Sequence, residues 1–218
     1  MKPLDWLLQL LFPPRCAFCG DLLEQSESER GICSRCVQQI GLARHNTKAI
    51  ELVDRVVWAL DYEDLTREAL HDYKFNGHRD KAAPFANLMC GVVLNWEEPY
   101  FDLVIYVPTN RSNIRKRGFH HTGLLAREVA KRLELPVASV LRKCRKTKAM
   151  FGLTPAERRA NILGAIALDC PPEQIAGKRL LLVEDIVTTG ATVSECARVL
   201  KEAGAAEVSV VALAGAKN

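Results

Sequence analysis

The sequence predicts an α/β chain, in which a parallel sheet flanked by helices follows a small cysteine-rich module, and three observations carry that prediction. Short runs that are apolar throughout alternate with longer stretches of helical periodicity, the pattern of strands covered on both faces. Four of the eight cysteines stand as two CxxC pairs near the N-terminus. The apolar run at 180–183 ends on two adjacent carboxylates and then on small and hydroxylated residues, which puts polar chemistry at the carboxyl end of a strand.

Composition agrees with a folded chain. Of 218 residues, 48% are hydrophobic and 26% charged, enough apolar material for a core and too little charge density for disorder. The net charge of +4 suits anionic ligands without singling out nucleic acid.

From the N-terminus, LDWLLQLLF at 4–12 is too short to span a bilayer. It runs into Pro13 and Pro14 rather than a small-residue cleavage site, so it reads as a short helix packed on the domain behind it. The expectation is a chain without a membrane span, in the cytoplasm, where cysteines stay reduced. Cys16-Ala17-Phe18-Cys19 and Cys33-Ser34-Arg35-Cys36 are separated by thirteen residues. Each pair makes a tight knuckle whose two sulfurs converge, and the connector lets one knuckle fold onto the other. That is a tetrahedral zinc site filled by Cys16, Cys19, Cys33 and Cys36, and with no open position it is structural. A redox reading of one CxxC leaves the other unexplained. Cys90, Cys144, Cys170 and Cys196 show no ligand spacing; Cys90 and Cys196 read as small core residues. The module is placed at residues 1–48, with polar residues 44–50 as its linker, and the α/β domain at 49–218.

In that domain VVWAL at 56–60 reads as a strand, 65–75 as a helix stopped by Asn76 and Gly77, and 81–95 as a second helix. LVIYV at 103–107 is an apolar strand closed by Pro108. Residues 122–133 form an amphipathic helix and 137–141 a short strand. Residues 180–183 are a buried strand, 192–203 a helix ending at Gly204, and 208–213 a last strand. The interval 142–175 is the least regular and reads as a long loop.

Glu184 and Asp185 pose a chemical problem. Adjacent carboxylates repel each other and are costly to bury unless paired, yet Thr188, Thr189, Gly190, Ala191 and Thr192 come next, leading into a helix whose first amides suit a phosphate. The acids would repel that phosphate. They make sense if they hold another part of the same molecule, which points to a sugar phosphate, hydroxyls to the acids and phosphate to the loop. Neither GxGxxG nor GxxxxGK[ST] occurs, so dinucleotide and P-loop sites are not indicated.

VEDIVTTGAT at 183–192 resembles the phosphoribosyl pyrophosphate (PRPP) motif of type I phosphoribosyltransferases. The two CxxC pairs, KFNG (74–77), VP (107–108), RKRGF (115–119), ERRANILGA (157–165) and this motif, in that order, resemble ComF-type proteins over nearly the whole chain. The resemblance implies a type I phosphoribosyltransferase-like sheet behind a zinc finger, with a link to DNA uptake in natural competence. It implies that Glu184 and Asp185 bind the ribose as catalytic acids, and that Thr188 to Thr192 bind the 5-phosphate. It places Thr109, Asn110, Arg111 and Arg115 at the diphosphate with its Mg2+, and Lys74 nearby. The implied ligand is PRPP, transferred to an acceptor the sequence does not name. The alternatives are a single-stranded-DNA-binding competence factor with a regulatory PRPP site, partnered by the DNA-uptake machinery, and a base-salvage transferase.

RKCRKTK at 142–148 carries five bases in seven residues and reads equally as a grip on a nucleic-acid backbone or an exposed loop. Arg158, Arg159 and Asn161 fall in the family's R-x-x-N neighbourhood, read as closing over the ligand. Where ComF-like proteins usually have RGFNQ this chain has RGFHH, and Ala149 and Met150 stand in place of proline and glutamine. His120 and His121 read as polar residues at a helix N-terminus.

Overall fold

The computed structural model describes residues 13–40, 47–97, 99–148 and 152–216. The expected helix at 4–12 and the departures at Ala149 and Met150 lie outside them.

The cysteine module carries two short helices, α1 (Gln25–Ser28) and α2 (Ser34–Gln39). The sheet strands are β1 (Arg55–Asp61), β2 (Leu103–Tyr106), β3 (Val137–Ala138), β6 (Arg179–Val187) and β7 (Glu207–Gly215). All pair in parallel, in the order β1-β7-β6-β2-β3. The chain leaves β6 towards β7 and leaves β2 towards β3, in opposite directions. The crevice between β6 and β2 is therefore the place where a doubly wound sheet takes its ligand.

Side-chain alternation sorts the core onto two faces. Leu181 and Val183 pack with helices α3 (Asp64–Phe75), α4 (Ala82–Leu94) and α6 (His121–Leu133). Leu180 and Leu182 pack on the opposite face with α8 (Ala191–Glu202). The zinc module's Phe18, Ile32 and Ile40 belong to the first cluster, where Phe18 meets Phe85 of α4 edge to face at 5.7 Å. Among the described residues no helix is long and apolar enough to cross a membrane.

Three elements differ from the sequence reading. β6 runs on through both carboxylates to Val187, with Glu184 in register with Ala212 of β7; the ladder continues because partners exist for its backbone, whatever the side chains. The interval 142–175 is structured, holding an antiparallel pair, β4 (Leu141–Lys143) with β5 (Ile166–Leu168), and helix α7 (Pro155–Ile162). Thr154 and Glu157 form a capping box that starts α7, a start signal that is present in the sequence itself. Helix α5 (Arg111–Arg117) buries none of its residues and so lacks an apolar stripe to announce it.

Candidate functional site

The four module cysteines bring their sulfurs within 4.8 Å of one another, and the Cys19 and Cys33 sulfurs lie 3.7 Å apart. Four thiolates at Zn–S distances of about 2.3 Å on a tetrahedron sit about 3.8 Å apart, so the set fits zinc with little rearrangement. Burial pushes the Cys16 thiol up, but backbone N–H groups of Cys33, Cys19 and Phe18 outweigh it and bring it down to about 7. Cys36 is pushed far up by burial and by its three neighbouring thiols. Zinc would displace those protons and hold all four sulfurs as thiolates.

At the carboxyl end of β6, Glu184 and Asp185 point to opposite faces of the sheet, as consecutive strand residues must. Glu184 lines an open pocket with Arg158 and residues 186–193. Gly190 adopts φ 81° as the residue before α8, a left-handed conformation that glycine takes at no steric cost. It also lies under Ile50, whose Cδ1 would be 2.6 Å from an added Cβ. Two cations brace the loop: Lys48 Nζ donates to the Thr188 carbonyl at 2.6 Å, and Arg158 Nη1 to Thr188 Oγ1 at 2.8 Å. Burial and the neighbouring Asp185 charge push the Glu184 carboxyl up to about 8. It is thus mostly a neutral acid at neutral pH.

Asp185 faces α3 and α6. Its Oδ2 lies 2.9 Å from Lys74 Nζ and 2.8 Å from His121 Nε2, ion-pair partners with no donor aligned on it for a conventional hydrogen bond. Burial alone would raise this carboxyl, but the Lys74 charge and His121 override it and hold it well below the usual carboxylate range. His121 Nδ1 meets Arg117 Nη1 at 2.8 Å, and the Arg117 guanidinium lies over the Phe75 ring at 4.7 Å.

The structure therefore gathers Glu184, Thr188, Thr189, Gly190, Ala191 and Thr192 around one pocket, and puts Lys74 on Asp185 rather than on the β2 loop. Thr109 and Asn110 lie at the carboxyl end of the adjacent strand β2, Asn110 directly before α5. Arg111 and Arg115 are exposed on that helix and do not line the pocket; Arg117, from the same helix, reaches His121. His120 caps α6 as expected, accepting from the Gly123 N–H at 3.1 Å. Burial, with His121 and Arg117 nearby, lowers its pKa to about 4. His121, read as one more polar residue of the helix start, instead reaches Asp185. Arg158 holds the Thr188–Thr192 loop, while Asn161 bonds the backbone of Lys148.

Two participants are not visible in the sequence. Lys143 is half-buried beside Glu184 and Cys196 rather than at the surface, and burial lowers its pKa. Lys48 reaches the loop across 140 positions of sequence. Only the order of motifs brings such residues together, and neither belongs to one.

Comparison with known proteins accords with this architecture. The phosphoribosyl transferase domain matches residues 123–218 and the double zinc ribbon domain residues 7–47. The chain is 30% identical to the DNA utilization protein YhgH of Escherichia coli O157:H7 over 161 residues, covering 72% of this chain and 70% of that one. It is 28% identical to competence protein F of Haemophilus influenzae over 116 residues, 53% of this chain and only 51% of that protein's length. It is 23% identical to competence protein ComFC of Bacillus subtilis over 195 residues, 89% of this chain and 75% of that one.

Proposed function

We propose, from the premise that the chain belongs to the ComF family of competence and DNA-utilization proteins, that its β6–α8 edge binds PRPP with magnesium and passes the phosphoribosyl group to a nucleophilic acceptor. The observation that supports this most is the pocket in which the Thr188–Thr192 loop, the first turn of α8 and Glu184 converge. Loop hydroxyls and amides suit the 5-phosphate. A neutral Glu184 can donate to and accept from ribose hydroxyls without repelling that phosphate, and Asp185 has its charge answered by Lys74. The difficulty of carboxylates beside a phosphate loop is removed on both faces at once.

Magnesium would enter with the ligand. The cluster of metal-ligating side chains among the described residues is the cysteine set, so the diphosphate oxygens are the natural magnesium ligands, as in other phosphate sites. Attack at the ribose C1 then expels diphosphate, and the protein's part is positioning and charge neutralisation.

The DNA link comes from the relatives' names, and the exposed Arg111, Arg115 and Lys116 of α5 favour single-stranded DNA as a second ligand more than the 142–148 run does. In that run Arg142 pairs with Asp169, Lys143 is half-buried, and Arg145 donates to the Leu163 carbonyl.

Calorimetric titration of the zinc-loaded chain with PRPP and Mg2+ tests the proposal, with Thr192→Val as a variant that keeps side-chain volume. Saturable binding weakened tenfold or more by the substitution is expected. No heat with wild-type protein overturns the reading, and diphosphate release with candidate acceptors separates transfer from binding alone.

A further inference from the structure

We propose that Lys48, in the connector between the cysteine module and the α/β domain, is a positioning residue: by holding the Thr188 carbonyl it aims the Thr189 N–H at the 5-phosphate of the ligand. That role rests on the PRPP reading above.

Lys48 falls between the two matched domains, the first ending at 47 and the second beginning at 123. Its half-buried ammonium donates to the Thr188 carbonyl at 2.6 Å. Thr188 and Thr189 line the pocket beside Glu184 and Lys48 does not, so any effect it has there passes through the loop. The peptide unit joining Thr188 to Thr189 is planar and trans, and its carbonyl oxygen and its N–H point in opposite directions. A carbonyl drawn out towards Lys48 therefore turns the Thr189 N–H the other way, to the side of the loop on which the pocket lies. Turned over, the same unit would present an oxygen, its negative end, to an incoming phosphate. Lys48 thus decides whether this peptide attracts the anion or repels it. A cation on the carbonyl also polarises the unit and strengthens its N–H as a donor.

The loop is held at this residue from two directions. Arg158, which lines the pocket, donates to the Thr188 hydroxyl at 2.8 Å and fixes the side chain, while Lys48 fixes the backbone. The connector has the anchorage such a role needs. Ile50 lies against Gly190, where an added Cβ would come 2.6 Å from its Cδ1. Further along, the Asp54 N–H donates to the Val208 carbonyl at 3.0 Å. Asp54 Oδ2 accepts from the Val208 N–H at 2.7 Å and pairs with Lys201 at 2.7 Å. An ammonium on a long stem gains its precision from that anchored backbone, because ordering stem and backbone together would cost more in entropy than one contact returns.

The test uses the full, zinc-loaded chain and two ligands that share the ribose 5-phosphate moiety: PRPP with Mg2+, and ribose 5-phosphate itself. Both are titrated by calorimetry into wild type, Lys48→Met and Lys48→Arg, with chemical denaturation confirming that each variant folds. Methionine keeps most of the volume without a donor, and is expected to weaken both ligands by the same factor, about tenfold. Arginine, which still donates to the carbonyl, is expected to stay within about threefold of wild type. Unchanged affinity in the methionine variant overturns the proposal, and so does arginine as weak as methionine. A loss confined to PRPP also overturns it, since Lys48 would then act at the diphosphate end. Amide spectra of the nitrogen-15-labelled wild type add a readout that bracing alone would not move. On saturation with PRPP and Mg2+ the Thr189 amide proton is expected to shift downfield, and an unmoved proton overturns the aim assigned to it. That spectrum decides the question if Lys48→Met does not fold. Should wild type bind neither ligand, the PRPP reading falls and takes this role with it; wild-type binding that Lys48→Met leaves intact removes Lys48 alone.

Discussion

Glu184 and Asp185 are neighbours in one strand, both almost closed to solvent, and their carboxyls are driven in opposite directions. Glu184, facing the Thr188–Thr192 loop, is pushed up to about 8 by burial and by the charge next to it. Asp185, facing α3 and α6, is held far down because Lys74 and His121 more than offset the same burial. Equal burial thus gives unequal ionisation, and the difference lies in direct contact: Lys74 and His121 meet Asp185, whereas the charge beside Glu184 that counts most is that of Asp185 itself. The strand uses alternation to turn two like charges into one neutral acid and one paired anion, the usual way a site separates the roles of two carboxyls.

The most disruptive way to break this arrangement is to remove one half of the buried pair. Lys74→Met leaves Asp185 with His121 alone, and Asp185→Asn leaves a largely buried ammonium without its counter-charge. Each is expected to cost about 3 kcal/mol or more in chemical denaturation, because the remaining charge stays buried and uncompensated. The double variant should cost clearly less than the sum of the two, since contacting partners are not additive. The pH dependence has a definite sign. Asp185 has a depressed value, so its contribution is complete above the unfolded carboxyl value of about 4 and is lost as pH falls below it.

The other face responds to pH in the opposite sense. Between about 4.5 and 8 an unfolded Glu184 is ionised while the folded one keeps its proton, so the folded state binds more protons and stability falls as pH rises through that window. Glu184→Gln, which copies the neutral form, should flatten this limb by an amount on the order of a few kcal/mol across the window. Guanidinium melts at a series of pH values read it directly. A wild-type profile that rises from pH 5 to 8 in parallel with the glutamine variant would show that Glu184 is ionised and the contrast false.

How much of this is legible in the sequence depends on how local each cause is. The apolar strands, the α3, α4, α6 and α8 helices and the four-thiolate cluster declare themselves within a few residues of their own sequence, and the Thr188–Thr192 loop is contiguous. The end of β6 is misleading because charged side chains look like a strand terminus, whereas pairing with β7, which continues past Val183 where β2 stops, decides where the ladder ends. Lys74 and His121 meet Asp185 only through the crossing of three elements, so neither reads as its partner from local pattern. Lys143 lies in a run that looks uniformly solvated, yet β4 turns that one residue inward beside Glu184.

The loop next to Glu184 offers a smaller perturbation. Gly190→Ala places a Cβ on a left-handed residue, which costs about 1–2 kcal/mol, and sets it 2.6 Å from Ile50 Cδ1. A melting-point drop and weaker PRPP binding are expected together. Adding Ile50→Ala should recover the part due to crowding and leave the backbone part, so the pair separates the linker's contact from the loop's own conformation. Full recovery would mean that the conformation carries no strain.

The mildest test concerns Arg158, which belongs to the Glu184 face alone. Its Nε donates to the Leu153 carbonyl at 3.0 Å and its Nη1 to Thr188 Oγ1 at 2.8 Å, so it ties α7 to the Thr188–Thr192 loop from a half-exposed position. Such bonds contribute about 1 kcal/mol each to folding, and Arg158→Ala, which removes two of them, should lower stability by about 2 kcal/mol or less. Its larger effect is expected on ligand affinity, about tenfold, because a charge-assisted contact near a phosphate is stronger than a neutral one. Since Arg158 has no contact with Asp185, the acid limb of the stability profile should keep the wild-type shape. A changed acid limb would mean that the two faces of β6 communicate, and the separation between Glu184 and Asp185 would have to be redrawn as one coupled site.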